Sequence, residues 1–207
     1  MKYDLFVNKI AALLLGSSLL ISCTNEPEVK EEPKKVEPKR VMAPFRFHKA
    51  IEVKPGLTLD VVSWGRGSDS VGGYLVLRSD STKMKYSSIS GELDGAIVDV
   101  WDMDLDSDGN PELYIHSRGE GEGSYLNMYV HEYGDNGSER RIMFPGLSSS
   151  AKRGYKGDDS VYIKEGKLMR EFPVIDEADS LAKKKMIKRF EYSLSGNSFQ
   201  VREVEEE

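Results

Sequence analysis

The stretch Lys185–Val204, KMIKRFEYSLSGNSFQVREV, decides the fold class. Phe190, Tyr192 and Leu194 fall on one face of an extended chain, and Arg189, Glu191 and Ser193 fall on the other. A period of two means a half-buried strand. Ser195-Gly196-Asn197 then has the chemistry of a tight turn, and Phe199 and Val201 return along a second strand. Glu165-Gly166 makes a second such turn, between Val161–Lys164 and Leu168–Phe172.

Outward from these hairpins the same grammar holds back to about Val41. Short runs rich in Val, Ile, Leu and Tyr alternate with Gly, Asp, Asn and Ser clusters. Further strands are expected over Leu57–Ser63, Gly73–Arg78, Met84–Ser90, Ala96–Trp101, Leu113–Ser117, Tyr125–His131 and Arg140–Phe144. Many short strands with no helices between them point to an all-β protein, an antiparallel β-sandwich with a closed barrel as the variant. One helix is expected, over Asp179–Ile187, although its lysines also suit an exposed edge strand. Trp64 and Trp101, with Tyr74, Tyr86 and Tyr129, are expected to pack in the core or between sheets. No internal repeat is visible.

The N-terminus has another character. Lysines in Met1–Lys9 precede Ile10–Ile21, an apolar run too short for a mature membrane span, which suits a signal peptide over residues 1–22. It ends Leu20-Ile21-Ser22-Cys23, which resembles the lipobox of bacterial lipoproteins, and Cys23 is the one cysteine of the chain. On that reading Cys23 carries the lipid, and the membrane is met through this anchor only. Thr24 in place of an aspartate favours the outer membrane, by resemblance to enterobacterial sorting rules. Residues 23–45 are expected to form a tether. Cys23–Arg40 is Pro, Glu and Lys with five basic and five acidic side chains and no apolar face, so it builds no core. The folded domain is then 46–207. Losing Lys2, Lys9 and Asp4 with the leader takes the net charge from −6 to −7. An acidic surface does not suit nucleic acid and attracts basic partners.

Between two expected strands lies Asp102-Met-Asp-Leu-Asp-Ser-Asp-Gly-Asn-Pro-Glu112. Oxygen ligands at alternate positions followed by a turn glycine suit a hard cation such as calcium. Asp104, Asp106 and Asp108 take positions one, three and five, Asn110 offers a carbonyl, and Glu112 is at position nine. Position twelve is Ile115, where an EF-hand has glutamate, so the loop is not an EF-hand and looks more like the calcium loops of FG-GAP-type repeats. The plain alternative is a polar turn whose carboxylates face water.

A second unusual run is His116-Ser-Arg-Gly-Glu-Gly-Glu-Gly-Ser-Tyr-Leu126. Its glycines do not match the spacing of a phosphate loop, the following residues alternate as a strand, and two glutamates would repel phosphate. It is a shaped loop or a slack linker, anchored at Tyr125.

Asp94-Gly95-Ala96-Ile97-Val98, the aspartate loop ending Gly109-Asn110-Pro111-Glu112, Ser117-Arg118-Gly119 and Gly123-Ser124-Tyr125-Leu126 together resemble the periplasmic inhibitors of invertebrate-type lysozyme. Val71-Gly72-Gly73-Tyr74 precedes them, and Gly154–Asp159, Gly166-Lys167-Leu168 and Arg170–Pro173 follow, so the resemblance covers roughly residues 50–203. It implies a β-sandwich, a homodimer, and a protruding Ser-Gly-x-Tyr loop that plugs the lysozyme cleft. The inhibitory loop would be Glu122, Gly123, Ser124 and Tyr125, with Arg118 at its base and the aspartate loop holding the region in shape. Glu122 stands where the family has serine. Lysozyme works with paired carboxyl groups, to which a hydroxyl donates and an ionised glutamate does not. The donor role then falls to Ser124 or to the N–H groups of Gly121 and Gly123, or else Glu122 meets a basic side chain of the lysozyme. An acidic inhibitor also complements a cationic lysozyme.

The second reading is a calcium-dependent glycan- or protein-binding lipoprotein centred on the aspartate loop. An enzyme is not expected. His48, His116 and His131 are scattered, and the pairs Ser149/Lys152 and Ser180/Lys183 lack the companion motifs of the hydrolases that use Ser-x-x-Lys.

Overall fold

The computed structural model describes residues 45–65, 71–119, 125–175 and 185–205, with Lys185 as backbone only. The leader, Cys23 and the predicted tether as far as residue 44 lie outside the described residues, and Phe45, the last residue expected in the tether, belongs instead to the first strand, paired with Trp64. Among the described residues, twelve strands make three four-stranded antiparallel sheets. The first sheet is β1 (Phe45–Lys54), β2 (Leu57–Trp64), β3 (Val71–Asp80) and β4 (Lys85–Asp94). The second is β5 (Ala96–Met103), β6 (Glu112–Arg118), β7 (Leu126–Tyr133) and β8 (Glu139–Ile142). The third is β9 (Ser160–Lys164), β10 (Lys167–Ile175), β11 (Lys185–Ser195) and β12 (Ser198–Val204). In each sheet, neighbours in space are neighbours in sequence, so the chain writes the same meander three times. The repeat is one of topology, carried by turn spacing and alternation, which is why no repeated sequence betrays it.

The opening hairpin is β11–β12. Phe190, Tyr192 and Leu194 are buried, and Gly196, at φ 58°, turns the chain between Ser195 and Ser198. Glu165 and Gly166, at φ 52° and 76°, join β9 to β10. Two successive left-handed residues match the right-handed twist of the flanking strands. The expected helix over Asp179–Ile187 is corrected at its end: Lys185, Met186 and Ile187 open β11 and pair with Ile175, Val174 and Pro173. Residues 179–184 lie outside the described residues. One strand was not expected at all. β1 pairs with β2 from Phe45 onward and contributes Ile51 to the core. Its bulges and its charged alternate residues blur the period of two.

The second sheet is the middle layer. Leu113 and Ile115 of β6 pack with Leu59, Val61, Tyr74 and Val76 of the first sheet. Tyr114, between them, packs with Leu168, Phe172, Phe190 and Tyr192 of the third. Successive side chains on a strand point to opposite faces, so β6 is covered on both sides, and its run Glu112–Ser117 is buried throughout. The expected β-sandwich is therefore built as two sandwich interfaces sharing one sheet, and the barrel variant falls away.

Two glycines in the first sheet are covered by aromatic rings from the neighbouring strand. Tyr74 pairs with Gly91, where an added Cβ would lie 2.4 Å from the ring, and Trp64 pairs with Gly73. Thus seated, the Tyr74 hydroxyl meets His131 Nε2 at 2.8 Å, and His131 Nδ1 meets Glu139 at 2.5 Å. This buried polar chain ties the first sheet to the second. Trp101 stacks on Tyr114 at 5.5 Å, and Tyr129 packs on the first core, as expected. Tyr86 and Trp64 differ: Tyr86 sits on the edge strand β4 and is 65% exposed, and Trp64, at the end of β2, is 39% exposed and belongs to neither core.

Candidate functional site

The aspartate loop joins β5 to β6 and folds on its own carboxylates. Asp104 accepts from the N–H groups of Asp108 and Gly109, at 3.1 and 3.0 Å. Asp108 accepts from the N–H and the side-chain amide of Asn110, at 2.8 and 3.1 Å. Ser107 and Gly109 supply the left-handed bends, at φ 60° and 87°. Asp104, Asp106, Asp108 and Glu112 converge: one carboxylate oxygen from each lies within 4.8 Å of the others. Two oxygens each about 2.4 Å from one ion are at most about 4.8 Å apart, so this cluster could hold a metal ion.

Glu112 distinguishes this cluster from an ordinary acidic turn. It is fully buried, because strand alternation from Leu113 turns it inward. Its Oε2 accepts from the Leu105 N–H at 2.8 Å and weakly from the Tyr114 hydroxyl at 3.4 Å. Its Oε1 is buried with no hydrogen-bond partner, and so is Asp106 Oδ1. Burial pushes the Glu112 carboxyl up to about 7, assisted by Asp106, Asp104 and Glu132 and opposed by the Leu105 N–H. A buried orphan carboxylate oxygen is costly, and a cation among the four carboxylates would supply the missing partner. The residues fit a hard, oxygen-seeking ion. Asn110, expected as a ligand, uses its amide nitrogen to hold Asp108.

The glycine loop leaves the far end of β6. Seven strand residues separate the two loops, roughly 20 Å at about 3.3 Å each. β6 is thus the element through which the aspartate loop would hold the glycine-loop region in shape. Glu122, Gly123 and Ser124 lie outside the described residues, and both ends of the loop are within them. The Gly119 N–H donates to the Tyr125 carbonyl at 3.1 Å and closes the neck. Gly95, at φ 81°, packs against the same neck, where a Cβ would come within 2.2 Å of the Arg118 carbonyl oxygen. Arg118 does sit at the base, with its guanidinium donating to the Asp159 carbonyl at 2.9 Å. Tyr125 is 49% exposed and its ring lies 5.5 Å from that of Tyr155.

Beside Tyr125 runs a groove of about 340 Å³ between the second and third sheets. Tyr129, Arg141, Phe144, Lys152 and Tyr155 line it. The sequence reading missed Arg141 and Lys152 as site residues, since nothing local marks them; they meet only when β8 and the segment before β9 come together. The three histidines serve other places: His48 meets Asp60 at 2.9 Å, His116 is buried in β6, and His131 lies in the buried chain described above.

No protein-family model matches the chain, and neither does any curated protein or solved structure.

Proposed function

We propose that this protein is a non-catalytic inhibitor of lysozyme, held in the bacterial envelope by a lipid on Cys23 and displayed on the 23–45 tether. The partner is a lysozyme of the invertebrate type, and Tyr125 leads the inserting loop. One observation carries the reading most: the connection from β6 to β7 is closed at its neck by the Gly119–Tyr125 bond and presents a half-exposed tyrosine beside a groove. A loop that plugs a cleft needs a rigid base and an aromatic side chain free to enter. Calcium is the ion proposed for Asp104, Asp106, Asp108 and Glu112, because an all-carboxylate set of oxygens suits that cation.

The test is lysis of a peptidoglycan suspension by invertebrate-type, chicken-type and goose-type lysozymes, with the purified protein titrated in, with and without calcium. Saturable inhibition of one type is expected, and Tyr125→Ala should abolish it without changing the melting temperature. Inhibition of no type would sink the reading. The buried orphan oxygen of Glu112 would then favour a calcium-dependent glycan- or protein-binding lipoprotein.

A further inference from the structure

The groove beside Tyr125 has a charge at odds with the rest of the molecule. The chain carries net charge −6, yet among the described residues no aspartate or glutamate lines this groove, and Arg141 and Lys152 do. Arg141 lies over the Tyr129 ring, 5.8 Å from its centroid. Among the described residues neither Arg141 nor Lys152 makes an ion pair, whereas Lys49, Arg140, Lys167, Arg189 and Arg202 on the three sheets each meet a carboxylate. Glu139, the nearest carboxylate along β8, is held by His131. Arg170, at the floor, is held by Asp159 at 2.7 Å. Two exposed cations, unpaired with any carboxylate among the described residues and set among tyrosine rings, make a local positive field that an anionic group would enter.

We infer that Arg141 and Lys152 form a carboxylate-recognising part of the lysozyme interface, taking acidic side chains at the rim of the partner's catalytic cleft while Tyr125 enters it. This rests on the proposed function. It also answers a difficulty in the sequence. Glu122 replaces a hydroxyl donor and would repel the cleft's carboxyl groups. Arg141 and Lys152, in the groove beside Tyr125, would restore the complementarity that a glutamate in place of serine removes. The acidic body of the protein then attracts a basic lysozyme over distance, and the basic groove fixes how it docks.

The experiment compares the full chain with the double variant Arg141→Glu/Lys152→Glu, with Arg141→Lys, and with a control of equal charge change, Lys85→Glu/Lys164→Glu. Inhibition of invertebrate-type lysozyme and the association rate are measured at low and high salt. The expected result is at least a tenfold rise in the half-inhibitory concentration for the groove variant, largest at low salt, with Arg141→Lys and the control near wild type. Melting temperatures should not move, since both side chains are exposed. Equal inhibition by wild type and the groove variant would overturn the inference and leave the inhibitor reading standing. A wild-type protein that inhibits no lysozyme would overturn both. A muramic-acid disaccharide peptide, titrated by NMR, separates the remaining case. Its binding to wild type and not to the groove variant, with inhibition unchanged, would overturn the inference in favour of an anionic glycan site.

Discussion

His116 sits in the middle of the most buried strand, and its ring Nε2 has no hydrogen-bond partner. Burial holds its pKa down to about 4, against an ordinary 6.5; Arg118 adds to this, and Asp159 and Asp99 oppose it. The folded protein therefore keeps the ring neutral where the unfolded chain would already take up a proton. The stability that follows is fully present above pH 6.5 and is lost as the pH falls toward 4. Its size is roughly 3 kcal/mol at 1.36 kcal/mol per unit. Acid titration followed by chemical denaturation should show stability declining through that window, with His116→Gln flattening part of the decline. His131 is also shifted down by burial, against its bond to Glu139, so some slope will remain in that variant. A slope identical in wild type and His116→Gln would show that the ring does not titrate as described. Nothing in the sequence around His116 hinted at this, because burial on both faces of β6 is a property of three sheets and not of seven residues.

At the scale of elements, the aspartate loop was legible to an unusual degree. Alternate carboxylates and a glycine are a local pattern, and a turn folds on local hydrogen bonds. Its decisive feature was not legible: the depth of Glu112 depends on the third sheet closing over β6. Calcium should raise the melting temperature by about 5–10 °C at a concentration a hundredfold above its dissociation constant. That figure combines ~2.7 kcal/mol of linkage with about 2–4 °C per kcal/mol for a domain of this size. Glu112→Gln should lose most of the rise and keep the metal-free stability, since a neutral amide no longer buries an acid. Differential scanning calorimetry with calcium and with chelator checks this, and a wild-type transition that ignores calcium would leave the loop a metal-free turn. The glycine loop is the contrary case. Its neck is secured by Gly95, some 24 residues earlier in sequence, through contact with the Arg118 carbonyl, which no reading of residues 116–126 could supply.

For the whole molecule, one sheet shared by two cores makes a definite claim about cooperativity. Leu113→Ala opens a cavity facing the first sheet, and Phe172→Ala opens one facing the middle sheet from the third. Each should cost about 2–5 kcal/mol, and each should lower a single common unfolding transition, because β6 cannot lose one cover and keep its other face ordered. Urea melts followed by tyrosine fluorescence and by far-ultraviolet circular dichroism test this. Two separated transitions would show the meanders to be independent units.

The sequence by itself determined that the chain is all-β and antiparallel, where most strands begin and turn, and which carboxylates share one loop. Period-two alternation and turn chemistry are properties of a few adjacent residues, so they are written locally. Only the tertiary structure decided that three meanders stack with β6 at the centre, that Glu112 is buried with an unpartnered oxygen, and that Arg141 and Lys152 meet beside Tyr125. Burial and convergence depend on which sheet faces which, and that is settled by packing between residues far apart in the chain.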